Sequence, residues 1–122
     1  MSYESVAIVE SRAANGVRLE VTRMSFGRRV ELMQRVRELA RKMEFLEAGN
    51  SPGERMDVAL LQAEIDRLYL MWGLRGVVGL EVDGTPATPQ TLADNGPEEL
   101  FREALAAVRA ETGLNEEQRK NC

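Results

Sequence analysis

SFGRRVELMQRVRELARKMEFLEAGNSPGERMDVALLQAEIDRLYLMW, residues 25–72, decides the architecture. Its first half carries apolar residues at spacings of three and four: Phe26, Val30, Met33, Val36, Ala40, Met43 and Leu46. A helix turns once in about 3.6 residues, so these positions share one face. Ser25 stands just ahead of them, where a hydroxyl accepts from a free amide of the first turn. Ala48-Gly49-Asn50-Ser51-Pro52-Gly53 then stops the helix and supplies, in Ser51, the cap of the next. The second half repeats the pattern with Val58, Leu61, Ile65, Leu68 and Trp72, a heptad-like seam. Asp57, Gln62, Glu64, Asp66 and Arg67 fall elsewhere on that wheel. Two long amphipathic helices with a short link predict an antiparallel αα-hairpin over 25–72.

Upstream, the pattern changes period. Val17, Leu19 and Val21 alternate with Arg18, Glu20 and Thr22, which is the period of a half-buried strand. Residues 5–10 are β-prone, and Asn15-Gly16 between the two runs is a turn signal. A short β-hairpin is expected within 1–24. Downstream, Gly73, Gly76 and Gly79 interrupt the helical pattern. Leu80-Glu81-Val82 before Asp83-Gly84 predicts a short strand and turn, and 85–95 reads as loop with one helical turn after Pro89. The stretch 73–95 is thus expected to be a glycine-rich turn and loop. Pro97, Glu98 and Glu99 open a third helix, with Pro97 at its first position and both acids at the positive end of its dipole. Leu100, Phe101, Ala104, Leu105 and Val108 form its apolar face, and Gly113 ends it. Asn115 to Gln118 suggests a short last helix within 96–122. The expected fold is mainly α: an αα-hairpin plus a C-terminal helix, with an N-terminal β-hairpin as a minor α+β element, in a single domain, 1–122.

The 122 residues are 43% hydrophobic and 30% charged, which suits a folded chain and not a disordered one. Net charge is −4, unevenly placed: residues 1–43 sum to +4 and residues 44–122 to −8. A basic front and an acidic back can pair with each other or steer different partners. Cys122 is the lone cysteine, so no internal disulfide forms and a reducing compartment is expected. The first residues lack the basic region and apolar run of a secretory leader. The most apolar stretch, 68–82, is broken by Arg75, Glu81 and three glycines and cannot span a bilayer.

Chemistry has little to work with. The absence of histidine removes the commonest general base and the commonest metal ligand. Cys122 has nothing to fix its position or lower its pKa. Glu64 and Asp66 diverge on a helix, and Asp57 and Glu64 read as the solvated edge of a seam more readily than as a catalytic pair. Gly73, Gly76 and Gly79 follow a helix, whereas a dinucleotide-binding loop follows a strand and opens a helix. No enzymatic activity, cofactor or metal site is expected.

Two binding readings remain. Arg28, Arg35 and Lys42 are heptad-spaced on one column of a basic helix, the pattern of a nucleic-acid contact. Glu31 and Glu38, each four residues ahead of Arg35 and Lys42, favour instead a face of internally paired charges. The apolar seams, rich in adaptable methionine, point to protein binding. Met33, Met43, Leu61 and Trp72 are the candidate contact residues, and the same four are candidates for the core. A homo-oligomeric contact uses the same kind of surface.

Several short features occur in a suggestive order. They are Gly16-Val17 entering a strand, Met24-Ser-Phe-Gly-Arg-Arg29 opening a long helix, Trp72 closing the second, Gly79-Leu-Glu-Val-Asp-Gly84, Gly96-Pro-Glu98, and Leu114-Asn-Glu-Glu-Gln-Arg-Lys-Asn121. This order resembles the small tail assembly chaperones of long-tailed phages and prophages, over most of the chain. The resemblance implies a protein of the host bacterial cytoplasm that binds the long helical tape measure protein, keeps it soluble, and helps recruit tail tube subunits during virion morphogenesis. It also implies that the finished particle lacks it. Many such chaperones are made in two lengths by ribosomal slippage, and Arg119-Lys120-Asn121 is encodable with an A-AAA-AAC run. A structural tail or head–tail joining protein is the alternative that stays in the virion. A small nucleic-acid-binding regulator using the basic helix 25–47 is the second alternative.

Overall fold

The computed structural model describes residues 1–49 and 51–113. The chain forms two compact units, one from Met1–Met24 together with the chain from Leu70 onward, the other from Ser25–Tyr69. The first break falls where the strand period gives way to the helical one. The second falls inside a helix.

The first unit is built on a three-stranded antiparallel sheet. The expected hairpin is present as β1 (Val6–Glu10) and β2 (Arg18–Thr22), in a register that runs from Val6 opposite Thr22 to Glu10 opposite Arg18. On the other side of β2 lies β3 (Leu74–Val78), giving the order β1-β2-β3. Leu19 and Val21 point to the buried face, as their alternation requires, and Arg18 points outward to pair with Glu10 at 2.9 Å.

β3 corrects the expectation of a turn and loop after Trp72. Val77 lies opposite Leu19 and Leu74 opposite Val21, yet Leu74 and Val77 are three apart. Arg75 is the extra residue that makes this possible. It forms a bulge against the Glu20/Val21 step, so both apolar side chains reach the buried face.

Beyond β3 come β4 (Glu81–Val82) and β5 (Thr85–Pro86), a minimal hairpin about Asp83 and Gly84. Both turn residues have positive φ, 53° and 78°, as the tight turn demands. α1 (Phe26–Glu47) and α2 (Pro52–Gly73) precede these strands in the chain, and α3 (Pro89–Asn95) follows them. α3 is longer than the expected single turn. Thr88 caps it in a reciprocal box with Thr91, and Leu92 is fully buried.

α4 (Glu98–Thr112) packs on β2 and presents Leu100, Ala104, Leu105 and Val108 to the sheet unit's core. Pro97 is its N-cap and not its first helical residue, and Gly113 closes it in the left-handed conformation. Two acids of α4 also hold the β1–β2 hairpin. Glu103 accepts from Ser11 Oγ at 2.5 Å, Arg12 N at 2.7 Å and Ala13 N at 3.3 Å in the hairpin loop. Glu111 accepts from Met24 N at 3.3 Å, just past the end of β2. The last turn of α2 lies against the same helix, because a Cβ on Gly73 would overlap the Val108 side chain.

The second unit is the expected αα-hairpin, formed by α1 and α2 up to Tyr69. Ser25 caps α1 through Arg28 N, and Ser51 caps α2 through Glu54 N at 3.1 Å while donating to Glu54 Oε1 at 2.8 Å. The seam of α2 stands as read: Leu61, Ile65 and Trp72 are buried and Val58 and Leu68 half-buried. The seam of α1 does not. Leu32 is buried, and Val36, Leu39, Met43 and Leu46 continue from it half-buried at spacings of four, three, four and three. Phe26, Val30 and Met33 belong to another row and are exposed by 86%, 39% and 36%. The expected series stepped from one row to its neighbour between Met33 and Val36, which a three-residue spacing permits but a straight seam does not. The short helix expected after Gly113 lies outside the described residues.

Candidate protein-binding surface

α1 carries two apolar surfaces besides its seam. The first is the column Phe26, Val30 and Met33, at i, i+4 and i+7. It extends about 10 Å along the helix at 1.5 Å per residue. Full burial of one such side chain is worth roughly 1.5–3 kcal/mol; Phe26, 86% exposed, forfeits most of it, and Val30 and Met33, 39% and 36% exposed, a smaller part. A partner that covers the column recovers it.

The second is a groove between the C-terminal half of α1 and the N-terminal half of α2, wholly within the hairpin unit. Its volume is about 580 Å³. Leu46 and Leu61 lie where groove and seam meet, and Phe45 and Leu60 line it while remaining 80% and 58% exposed. The charges of the groove are segregated by helix. Arg41 and Lys42 come from α1, and Asp57 and Glu64 from α2. Among the described residues, none of these four side chains forms an ion pair.

The residues singled out in the sequence separate accordingly. Met33 ends the exposed column, Met43 is half-buried in the α1 seam, and Leu61 is buried beside the groove. Trp72 is buried and belongs to the sheet unit, so the four do not form one surface. Phe45 and Leu60, the most exposed apolar groups of the groove, were not singled out. Their signal was their position: large apolar residues beside, not on, the two seams.

The basic column is partly neutralised. Glu31 pairs with Arg28 at 3.4 Å and with Arg35 at 3.0 Å. Exposed pairs of this kind contribute little stability, but they lower the field that the column presents to a phosphate backbone. Lys42, the third member, faces the groove.

Among the described residues, no group of three or more His, Cys, Asp and Glu side chains is placed to hold a metal ion, and no helix is long and apolar enough to cross a membrane. Compared with family models, with curated proteins and with solved structures, the chain finds no match. The hairpin unit is thus a pair of helices with two exposed apolar surfaces, the column on α1 and the groove between α1 and α2.

Proposed function

We propose that this chain is a non-enzymatic phage tail assembly chaperone, acting in the host cytoplasm on the tape measure protein before the tail tube closes around it. The observation that carries the reading is the exposed column Phe26, Val30 and Met33 on a helix of 22 residues. Its spacing is that of a helix face that engages another amphipathic helix. A tape measure protein is a long helix with apolar faces along its length, and several copies of a small chaperone would shield it in series. The order of short motifs from Gly16-Val17 to Leu114–Asn121 supports the same reading. Recruitment of tail tube subunits follows from it as a second protein contact.

Coexpression with the tape measure protein encoded just downstream tests the proposal. The expected result is a soluble complex that copurifies, lost when Phe26 and Met33 are both changed to Asp while the hairpin stays folded. A folded chain that neither copurifies with nor solubilises that protein refutes the proposal. So does a gene neighbourhood without one. Mass spectrometry of purified particles separates the chaperone from a structural tail or head–tail joining component, because only the latter remains in the virion.

A further inference from the structure

The groove has the charge pattern of a surface that recognises itself. Its α1 wall is cationic through Arg41 and Lys42, and its α2 wall anionic through Asp57 and Glu64. The same groove is lined by Phe45, Leu46, Leu60 and Leu61, with Phe45 and Leu60 mostly exposed. The four charges are unpaired among the described residues, so each is available to an opposite charge brought from outside.

We propose that this groove is an interface between two copies of the chain, paired face to face about a two-fold axis parallel to the helices. Two arrangements bring the apolar strips together. An axis parallel to the helices puts α1 of each copy over α2 of the other, so Arg41 and Lys42 of each copy face Asp57 and Glu64 of the other. An axis across the helices puts α1 over α1 and α2 over α2, with like charges opposed. Like-charge juxtaposition is strongly unfavourable at a partly desolvated interface, so the first arrangement wins. The result is an isologous four-helix contact in which apolar residues and complementary charges meet across the interface. The exposed rings of Phe45 and flanking Leu60 supply the buried anchors.

The client column lies elsewhere on α1. At 100° per residue, Phe26, Val30 and Met33 sit roughly 100° around the helix from the groove residues Arg41, Lys42 and Phe45, and at least eight residues nearer the N-terminus. The dimer therefore covers the groove and leaves both columns open. It does not depend on what the column binds.

Light scattering coupled to size-exclusion chromatography on the full chain tests the pairing. The wild type is expected at twice its chain mass of 13.6 kDa. R41E/K42E makes both walls acidic, and D57K/E64K makes both walls basic. Each variant alone is expected to weaken pairing by more than about tenfold and elute as a single chain. Mixed one to one, they are expected to restore the dimer, because each acidic wall then meets a basic one. F45D removes the apolar anchor and is expected as a single chain in every mixture. The proposal is overturned by a wild type of single-chain mass, or by either double variant pairing as the wild type does. It is equally overturned by a mixture that stays single-chain while both variants keep wild-type helicity by circular dichroism. A single-chain protein that still solubilises the tape measure protein refutes the dimer alone. A dimer that ignores that protein refutes the chaperone reading alone.

Discussion

Glu103 joins residues about ninety positions away in the chain, and its removal is a sharp test of how the sheet unit holds together. One carboxylate accepts from Ser11 Oγ, Arg12 N and Ala13 N, fastening the β1–β2 loop to α4. Hydrogen bonds to a charged acceptor contribute roughly 1.5–3 kcal/mol each when buried. The two backbone bonds here are exposed and the Ser11 bond only partly buried, so solvent discounts the sum to about 1–2 kcal/mol for Glu103→Ala. Glu103→Gln keeps an acceptor oxygen and loses the charge, so about 0.5–1 kcal/mol is expected. The pH dependence gives an independent check. Partial burial pushes the Glu103 pKa up, but the bonds from Ser11, Arg12 and Ala13 and the Arg12 charge outweigh it, and the net shift is below the ordinary value of 4.5. A folded-state pKa below the unfolded one means stabilisation that is fully present above about 4.5 and lost as pH falls through the folded value. Urea denaturation followed by fluorescence of Trp72, the sole tryptophan and buried in the same unit, reads this directly. Wild type is expected to exceed Glu103→Gln at neutral pH and to converge with it in strong acid. Equal midpoints at neutral pH, or a gap that persists unchanged once both are protonated, refutes the reasoning.

Two further substitutions probe the sheet unit and one the hairpin. Gly79 has φ of 87° and a Cβ there would overlap the Gly16 carbonyl, so Gly79→Ala is expected to lower stability by at least about 1 kcal/mol in the same denaturation assay. Leu19 is fully buried at the centre of the sheet, and Leu19→Ala is expected to cost about 2–5 kcal/mol. Gly27 in the first turn of α1 has open space around its Cβ position, so Gly27→Ala is expected to stabilise the hairpin by up to about 1 kcal/mol, read as a higher melting temperature by circular dichroism.

Much of the fold was legible because it rests on local periods. The alternation of Val17, Leu19 and Val21 located β2, and Ser25 and Ser51 located the starts of both long helices. β3 was not legible for a physical reason. Its bulge at Arg75 replaces period two with a three-residue step from Leu74 to Val77, and Gly76 between them looks like a helix stop. Gly76 is instead a strand residue, paired opposite Glu20 of β2. No local pattern announces a pairing with a strand more than fifty positions earlier. Glu103 is the same case. On its helix it reads as one more solvated acid, and only the tertiary fold brings the Ser11 loop to it.

The binding surface was the least legible part, and α1 shows why. Its apolar residues occupy three rows: Leu32, Val36, Leu39, Met43 and Leu46 inward, Phe26, Val30 and Met33 on a second side, and Phe45 with Leu46 toward the groove. Rows on a helix lie three or four residues apart, and so do successive members of any one row, so a list of spacings joins neighbours from different rows into one plausible face. That is how Met33 was grouped with Met43, although one ends the exposed column and the other is half-buried. A helix that is apolar on a single side has one way to be covered. One that is apolar on three sides needs more than a single hairpin partner. Under the two proposals above, Phe26 and Phe45, on different rows and almost fully exposed, meet separate partners. The cationic and anionic walls around Phe45 fit a second copy of the chain, and the uncharged row at Phe26, Val30 and Met33 fits an apolar helix of another protein. The two contacts can then form at once, without competing for one face.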